Sequence, residues 1–212
     1  MDRRLKKWIC WIETIHDEVQ NLLVSKDIFW STQELLRDNP NLPKGNAIYR
    51  YLGDTYVSHA MAGIRRQVKF DDKSISFARL LTEMAEHPEC LTRDYYRVLY
   101  EGSVVSDLAD SDFDKYCDAP EDRHISAASV QKDLDDLKIT LAQCESFADR
   151  RVAHRDLRPP KPLKFSDIDE AIASLDSLYC RYHLMLKADN LVTLMPTYQY
   201  DWLAVFDVPW RH

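Results

Sequence analysis

Ser126–Asp156 reads SAASVQKDLDDLKITLAQCESFADRRVAHRD, and its apolar residues Val130, Leu134, Leu137, Leu141 and Cys144 recur at intervals of three and four. That is helical spacing. Side chains so placed fall on one stripe, so the stretch is expected to form a core helix from about Ser126 that delivers Asp149–Asp156 at its C-terminal exit. These last eight residues, DRRVAHRD, hold Arg150, Arg151, His154 and Arg155 between Asp149 and Asp156. Arginine grips a phosphate through paired hydrogen bonds and stays charged at any working pH. Histidine gives and takes a proton near neutrality. Together they point to RNA phosphodiester cleavage or phosphate binding.

Working outward, the same period recurs along the chain. Trp8, Trp11, Ile12, Ile15, Val19, Leu22 and Leu23 line one face of a first helix that runs towards Leu36, until the turn residues of Asp38–Gly45 (DNPNLPKG) break it. A second helix is expected from about Ala47 to Val68. A third runs from about Ser74 to His87, with Asp71–Ser74 as turn and cap and Pro88 closing it. Residues 90–120 read as short helices and loop, with Leu91-Thr92-Arg93-Asp94 opening one helix, or as a loop-rich insertion. Pro159-Pro160-Lys161-Pro162 forbids helix, and Ser166 with Asp169 resembles a capping box. From there Ile168, Ile172, Leu175, Tyr179, Tyr182 and Leu186 form the stripe of a helix ending near Asn190. The tail from Pro196 to His212 carries Trp202, Phe206 and Trp210 and is expected to pack back on the helices. With four glycines and almost no strand-type alternation, the fold class is all-α, one domain over residues 1–212.

Bulk properties narrow the function. A chain of 212 residues with 45% hydrophobic content can bury a full core. Its net charge of −7 argues against a non-specific nucleic-acid coat, so any polyanion site must be a local patch. Cys10, Cys90, Cys117, Cys144 and Cys180 are odd in number and never form CxxC, which suits a reduced, cytoplasmic chain. The basic N-terminus is interrupted by Glu13, Asp17 and Glu18, unlike a signal peptide. No run is long enough for a membrane span. There is no P-loop, GxGxxG, HExxH or nucleophile elbow, so nucleotide hydrolysis and metalloenzyme chemistry are not supported, and no cofactor or metal is expected.

Arg150, Arg151, Arg155, Arg158, Lys161 and Lys164 make the densest basic stripe outside the first seven residues. Each cation that meets a phosphate adds salt-dependent affinity; the plainer reading is a solvated helix end whose cations complement the macrodipole. Arg65 and Arg66, near the end of the second helix, could join such a phosphate cleft or serve as surface ion-pair formers. Cys180 and His183 stand at i and i+3 but lack a second pair, so they read as core residues rather than half a metal site. His16, His59, His87 and His124 have no supporting pattern. Trp8, Trp11, Trp30 and Tyr49-Arg50-Tyr51 could stack on bases, although their helical spacing favours packing.

Several of these features together resemble the HEPN superfamily, closest to its abortive-infection-protein-like branch. The resemblance rests on a long helix ending in Ala153-His154, an acid at Asp156, a proline-containing loop, a second amphipathic helix and the tail Asp201-Trp202, Phe206, Pro209-Trp210. It covers about Ser126–His212, with Gly63-Ile64-Arg65-Arg66, Ser74-Ile75-Ser76 and Leu80-Leu81 extending it. It implies an antiparallel helical bundle with additional N-terminal helices, a homodimer whose matching motifs meet in one cleft, and metal-independent endoribonuclease or toxin activity in phage defence or a toxin–antitoxin system, with an antitoxin or other defence protein as partner. On that reading Arg150 and His154 are catalytic, and Arg151, Arg155, Arg158, Lys161, Arg65 and Arg66 contact RNA. Asp149 and Asp156 support them. The family separates its arginine and histidine by four to six residues, whereas Asp149, Ala148 and Phe147 occupy those positions here and Arg150 lies closer. On an ideal helix Arg150 and His154 still share a face. The tyrosine that some members carry two residues after the histidine is replaced by Asp156. The resemblance equally implies a second reading, a catalytically inactive module that binds RNA, a nucleotide or a protein partner.

Overall fold

Asp2 opens the first helix, its carboxylate accepting the backbone N–H groups of Arg4 at 2.6 Å and Leu5 at 3.3 Å. The structure is a computed structural model and describes residues 2–39, 45–153, 157 and 161–207. Among these residues the chain forms α1 (Arg3–Asp38), α2 (Ala47–Val68), α3 (Phe77–Glu86), α4 (Arg93–Tyr100), α5 (Ala109–Asp114), α6 (Ala127–Phe147) and α7 (Phe165–Lys187), with no strand. The fold is an all-helical bundle. One isolated bridge, between Thr92 and His124, is the only extended pairing among the described residues.

Pairings between helices set their directions. Leu22 meets Gly63 and Phe29 stacks on Tyr56 at 4.3 Å, so α2 runs antiparallel to α1. Glu13 pairs with Lys187 while Trp30 Nε1 donates to Asp169 at 3.0 Å, so α7 also runs antiparallel to α1. Likewise Cys144 lies beside the backbone of Asp167, and Asp133 accepts from Tyr182 at 2.8 Å, which makes α6 and α7 antiparallel. The stripe read from α6 is buried throughout, as are Ile168, Ile172, Leu175, Tyr179, Tyr182 and Leu186 of α7. Burial of such side chains is the main source of stability, about 1.5–3 kcal/mol for each large one.

Gly63 lies where α2 comes close to α1. A Cβ on it would stand 2.7 Å from Leu22 Cδ2, and Leu22 is itself buried on α1. Gly63→Val is therefore expected to lower stability by about 1–3 kcal/mol through overpacking, read as a fall in the urea midpoint at unchanged slope. An unchanged midpoint would mean that α1 and α2 are not held at this distance.

The structure moves several expected boundaries. α3 starts at Phe77, because Ser76 rather than Ser74 caps it by accepting from Arg79 N–H at 3.2 Å. The expected capping pair Ser166–Asp169 is replaced by one nearer the start of α7, where Asp167 accepts the Lys164 N–H at 2.8 Å. Asp169 is drawn away by stronger company: it accepts from Trp30 and, at 3.1 Å, from Tyr56 Oη. α7 stops at Lys187 instead of near Asn190, since Ala188 turns left-handed at φ 53° and bonds back to Leu184. Leu23 is only partly buried. In the tail, Leu194 is buried and Tyr198 donates to Asp27 on α1 at 3.2 Å, while Phe206 is 41% exposed and Trp210 lies outside the described residues.

Residues 90–120 hold α4, α5 and single-turn 3-10 segments at Pro88–Cys90 and Ser106–Leu108. Tyr96 and Phe113 are fully buried, and Tyr95 Oη donates to the Leu186 carbonyl at 3.0 Å, so the segment contributes core and docks on α7. Its acids have a specific use. Arg93, only 8% exposed, donates to Asp114 at 2.6 Å and to the carbonyls of Asp122 at 3.0 Å and Asp110 at 3.1 Å, while Arg97 takes the Asp110 carboxylate at 2.8 and 2.9 Å. The hydrogen bond from Arg93 holds the Asp114 carboxyl below its usual range, and that from Arg97 does the same for Asp110.

Candidate functional site

α6 does not remain an α-helix through the octet. At Ala148 the hydrogen bonding widens, and Ala148–Ala153 forms a π-helical turn, in which the backbone pairs i with i+5. Ala148 anchors the turn in the core, fully buried. Asp149 and Arg150 are half-buried on it, and Arg151 is exposed. The expected shared face of Arg150 and His154 depends on His154, which falls outside the described residues. His154, Arg155, Asp156 and Arg158 lie outside the described residues.

The last turn of α2 meets this π turn. Arg65 donates from Nε to Asp149 Oδ1, and the Lys69 ammonium stands 3.7 Å from Asp149 Oδ2. Two stretches that share in sequence only a preference for phosphate are thus in contact, 84 residues apart in the chain. The neighbouring arginine takes no part: Arg66 turns to α1 and binds Glu18 with Nε at 2.8 Å and Nη2 at 2.7 Å. Consecutive helix residues point in different directions, so Arg65 joins the site and Arg66 does not. Arg150 and Arg151 form no ion pair among the described residues. Lys161 is exposed, on a segment tied to the end of α6 by Gln143 Nε2 donating to the Pro162 carbonyl at 3.0 Å.

The result is that Arg65 and Lys69 at the end of α2 meet the Asp149 carboxylate, with Arg150 and Arg151 next to it in sequence on the π turn and Lys161 on the loop that follows. Helix C-terminal ends carry partial negative charge, so cations there are locally favoured. Their number leaves charge over for an anion. Sequence reading missed Lys69. Its signal was present in the spacing, because Lys69 follows Arg65 by four residues and must share its helix face.

Other candidates find structural partners. Cys144, one turn before the octet, is buried, and burial pushes its thiol up to about 11, which keeps it protonated and unreactive at neutral pH. His183 is buried with Nδ1 3.1 Å from the Asp189 carbonyl, and Cys180 faces the Asp176 carboxylate. Among the described residues no three His, Cys, Asp or Glu side chains gather as metal ligands, and no helix is long and apolar enough to cross a membrane. Trp8 and Trp11 are buried, Trp30 is held by Asp169, and Tyr49 Oη donates to the Leu36 carbonyl at 3.2 Å. Trp8 and Trp11 serve packing, whereas Trp30 is 38% exposed. Tyr51 is 64% exposed. Comparison of the chain with protein-family models, curated proteins and solved structures finds no match.

Proposed function

We propose that this chain is a HEPN-type protein that binds single-stranded RNA at the joined ends of α2 and α6 and cleaves it without a metal, as a toxin or phage-defence endoribonuclease. The observation that supports it best is the Arg65–Asp149 contact, which brings Arg65 and Lys69 of α2 against the turn that carries Arg150 and Arg151, on a chain of net charge −7. Arg150 and Arg151 hold the scissile phosphate and stabilise the charge that develops on it. His154 moves the proton of the attacking 2′-hydroxyl or the leaving 5′-oxygen. A second copy of the chain supplies the facing motif, since one octet carries few groups for in-line chemistry. Lys161, Arg155 and Arg158 extend the phosphate track.

Wild-type protein is expected to bind labelled oligouridylate with an affinity that falls steeply as salt rises, and to cleave RNA equally well in EDTA. Replacing both Arg150 and Arg151 by alanine should flatten the log-log salt dependence by about 0.7 for each phosphate that is no longer neutralised. Salt-independent binding, or none, would sink the reading. A second reading, a catalytically silent RNA-binding module, is favoured by the short spacing between Arg150 and His154 and by the π turn in which Arg150 stands. Binding without cleavage by the dimer would select it.

A further inference from the structure

Resting on that RNA-binding reading, we infer that Asp149 is a built-in competitor for phosphate, an internal anion that occupies Arg65 and Lys69 until an RNA backbone displaces it. Arg65 and Lys69 stand four residues apart at the end of α2, and each faces a different oxygen of the same carboxylate. Two non-bridging oxygens of a phosphodiester would meet the same pair of cations in the same manner. The carboxylate therefore imitates the ligand.

Exposure makes the displacement feasible. Arg65, Asp149 and Lys69 are 31%, 38% and 45% exposed, so ligand and water both reach the pair. Ion pairs in such surroundings are weak. Asp149 offers one negative charge, whereas an RNA strand brings a phosphate with every nucleotide and engages Arg150 and Arg151 at the same time. A lone phosphate has no such advantage. The device consequently selects a polyanion over inorganic phosphate or a mononucleotide, and it sets a threshold below which the cations of α2 stay closed. It also explains why an acid sits inside the basic octet, on the side of the π turn that faces α2.

The test is the affinity of fluorescein-labelled oligouridylate, by anisotropy, for wild type, Asp149→Asn, Glu145→Gln and the double variant Asp149→Asn with Arg65→Ala. Glu145 lies one turn earlier on α6 and controls for the loss of one negative charge. Asp149→Asn should bind about fivefold more tightly than wild type, the scale of one exposed ion pair. Glu145→Gln should change affinity by less than about twofold, as expected of a surface charge without a role in the pair, and adding Arg65→Ala should remove the gain. Equal or weaker binding by Asp149→Asn overturns the inference. So does an equal gain in Glu145→Gln, or a gain that survives loss of Arg65. In each of these cases wild-type binding leaves the RNA reading standing, while absence of binding by every protein overturns both.

Discussion

On the proposed endoribonuclease reading, replacing His154 by alanine is expected to lower the rate of RNA cleavage in EDTA by about 10²–10⁴-fold, the usual contribution of a positioned acid or base. The imidazole is the group in the octet whose ordinary titration spans neutrality; the arginines beside it stay protonated and cannot exchange a proton. Affinity for RNA should change little, because phosphate contact is assigned to Arg150, Arg151, Arg65 and Lys69. That split between rate and binding is the diagnostic feature. Single-turnover cleavage together with anisotropy reads both quantities, and circular dichroism shows whether the helices are retained. A variant that cuts at the wild-type rate would remove His154 from the chemistry, and one that fails to bind would place it in the phosphate contact instead.

The largest structural effect is expected from Trp8→Ala. Trp8 is fully buried on α1, and its Nε1–H donates to Glu83 Oε2 at 3.2 Å on α3. Glu83 is also gripped by Lys7 and approached by Arg79 at 3.8 Å, so the indole tops a small polar junction that joins the two helices. Alanine leaves a large cavity in a close-packed interior, at a cost of about 3–5 kcal/mol. Set against a total stability of about 5–15 kcal/mol, that is a large share. For a chain of this size each kcal/mol corresponds to about 2–4 °C in Tm, so a fall of about 6–20 °C is expected in thermal unfolding. A fall of under about 2 °C would show that the neighbouring side chains close the space, contrary to ordinary core behaviour.

Both predictions draw on parts of the molecule that were differently legible. The helix Ala47–Val68 follows from local signals, since Gly45 takes a positive φ of 80°, Asn46 caps the first turn and the apolar residues repeat at helical intervals. The stripe of α6 is of the same kind. Arg93 is different. Its partners Asp110 and Asp114 lie 17 and 21 residues away, and nothing in the acidic run 107–118 names the arginine that will neutralise it. The region therefore reads as short helices and loop, without the pairs by which two of its acids hold α4 against α5. Asp169 is a parallel case, having a local role as a cap that two distant donors, Trp30 and Tyr56, override.

At the candidate site the division is sharper. The residue chemistry of the octet, its position after a core helix and the existence of a second basic pair on α2 were all determined by sequence, because helical periodicity and side-chain type are local properties. Which of Arg65 and Arg66 faces the octet, and that Asp149 directs its charge to Arg65 and Lys69, were decided only when α2 packed against the end of α6. So was the π turn, which takes Arg150 out of the α-helical register assumed for it. A charged side chain has many acceptable partners of opposite sign, and only the packing of the apolar faces determines which of them come within reach.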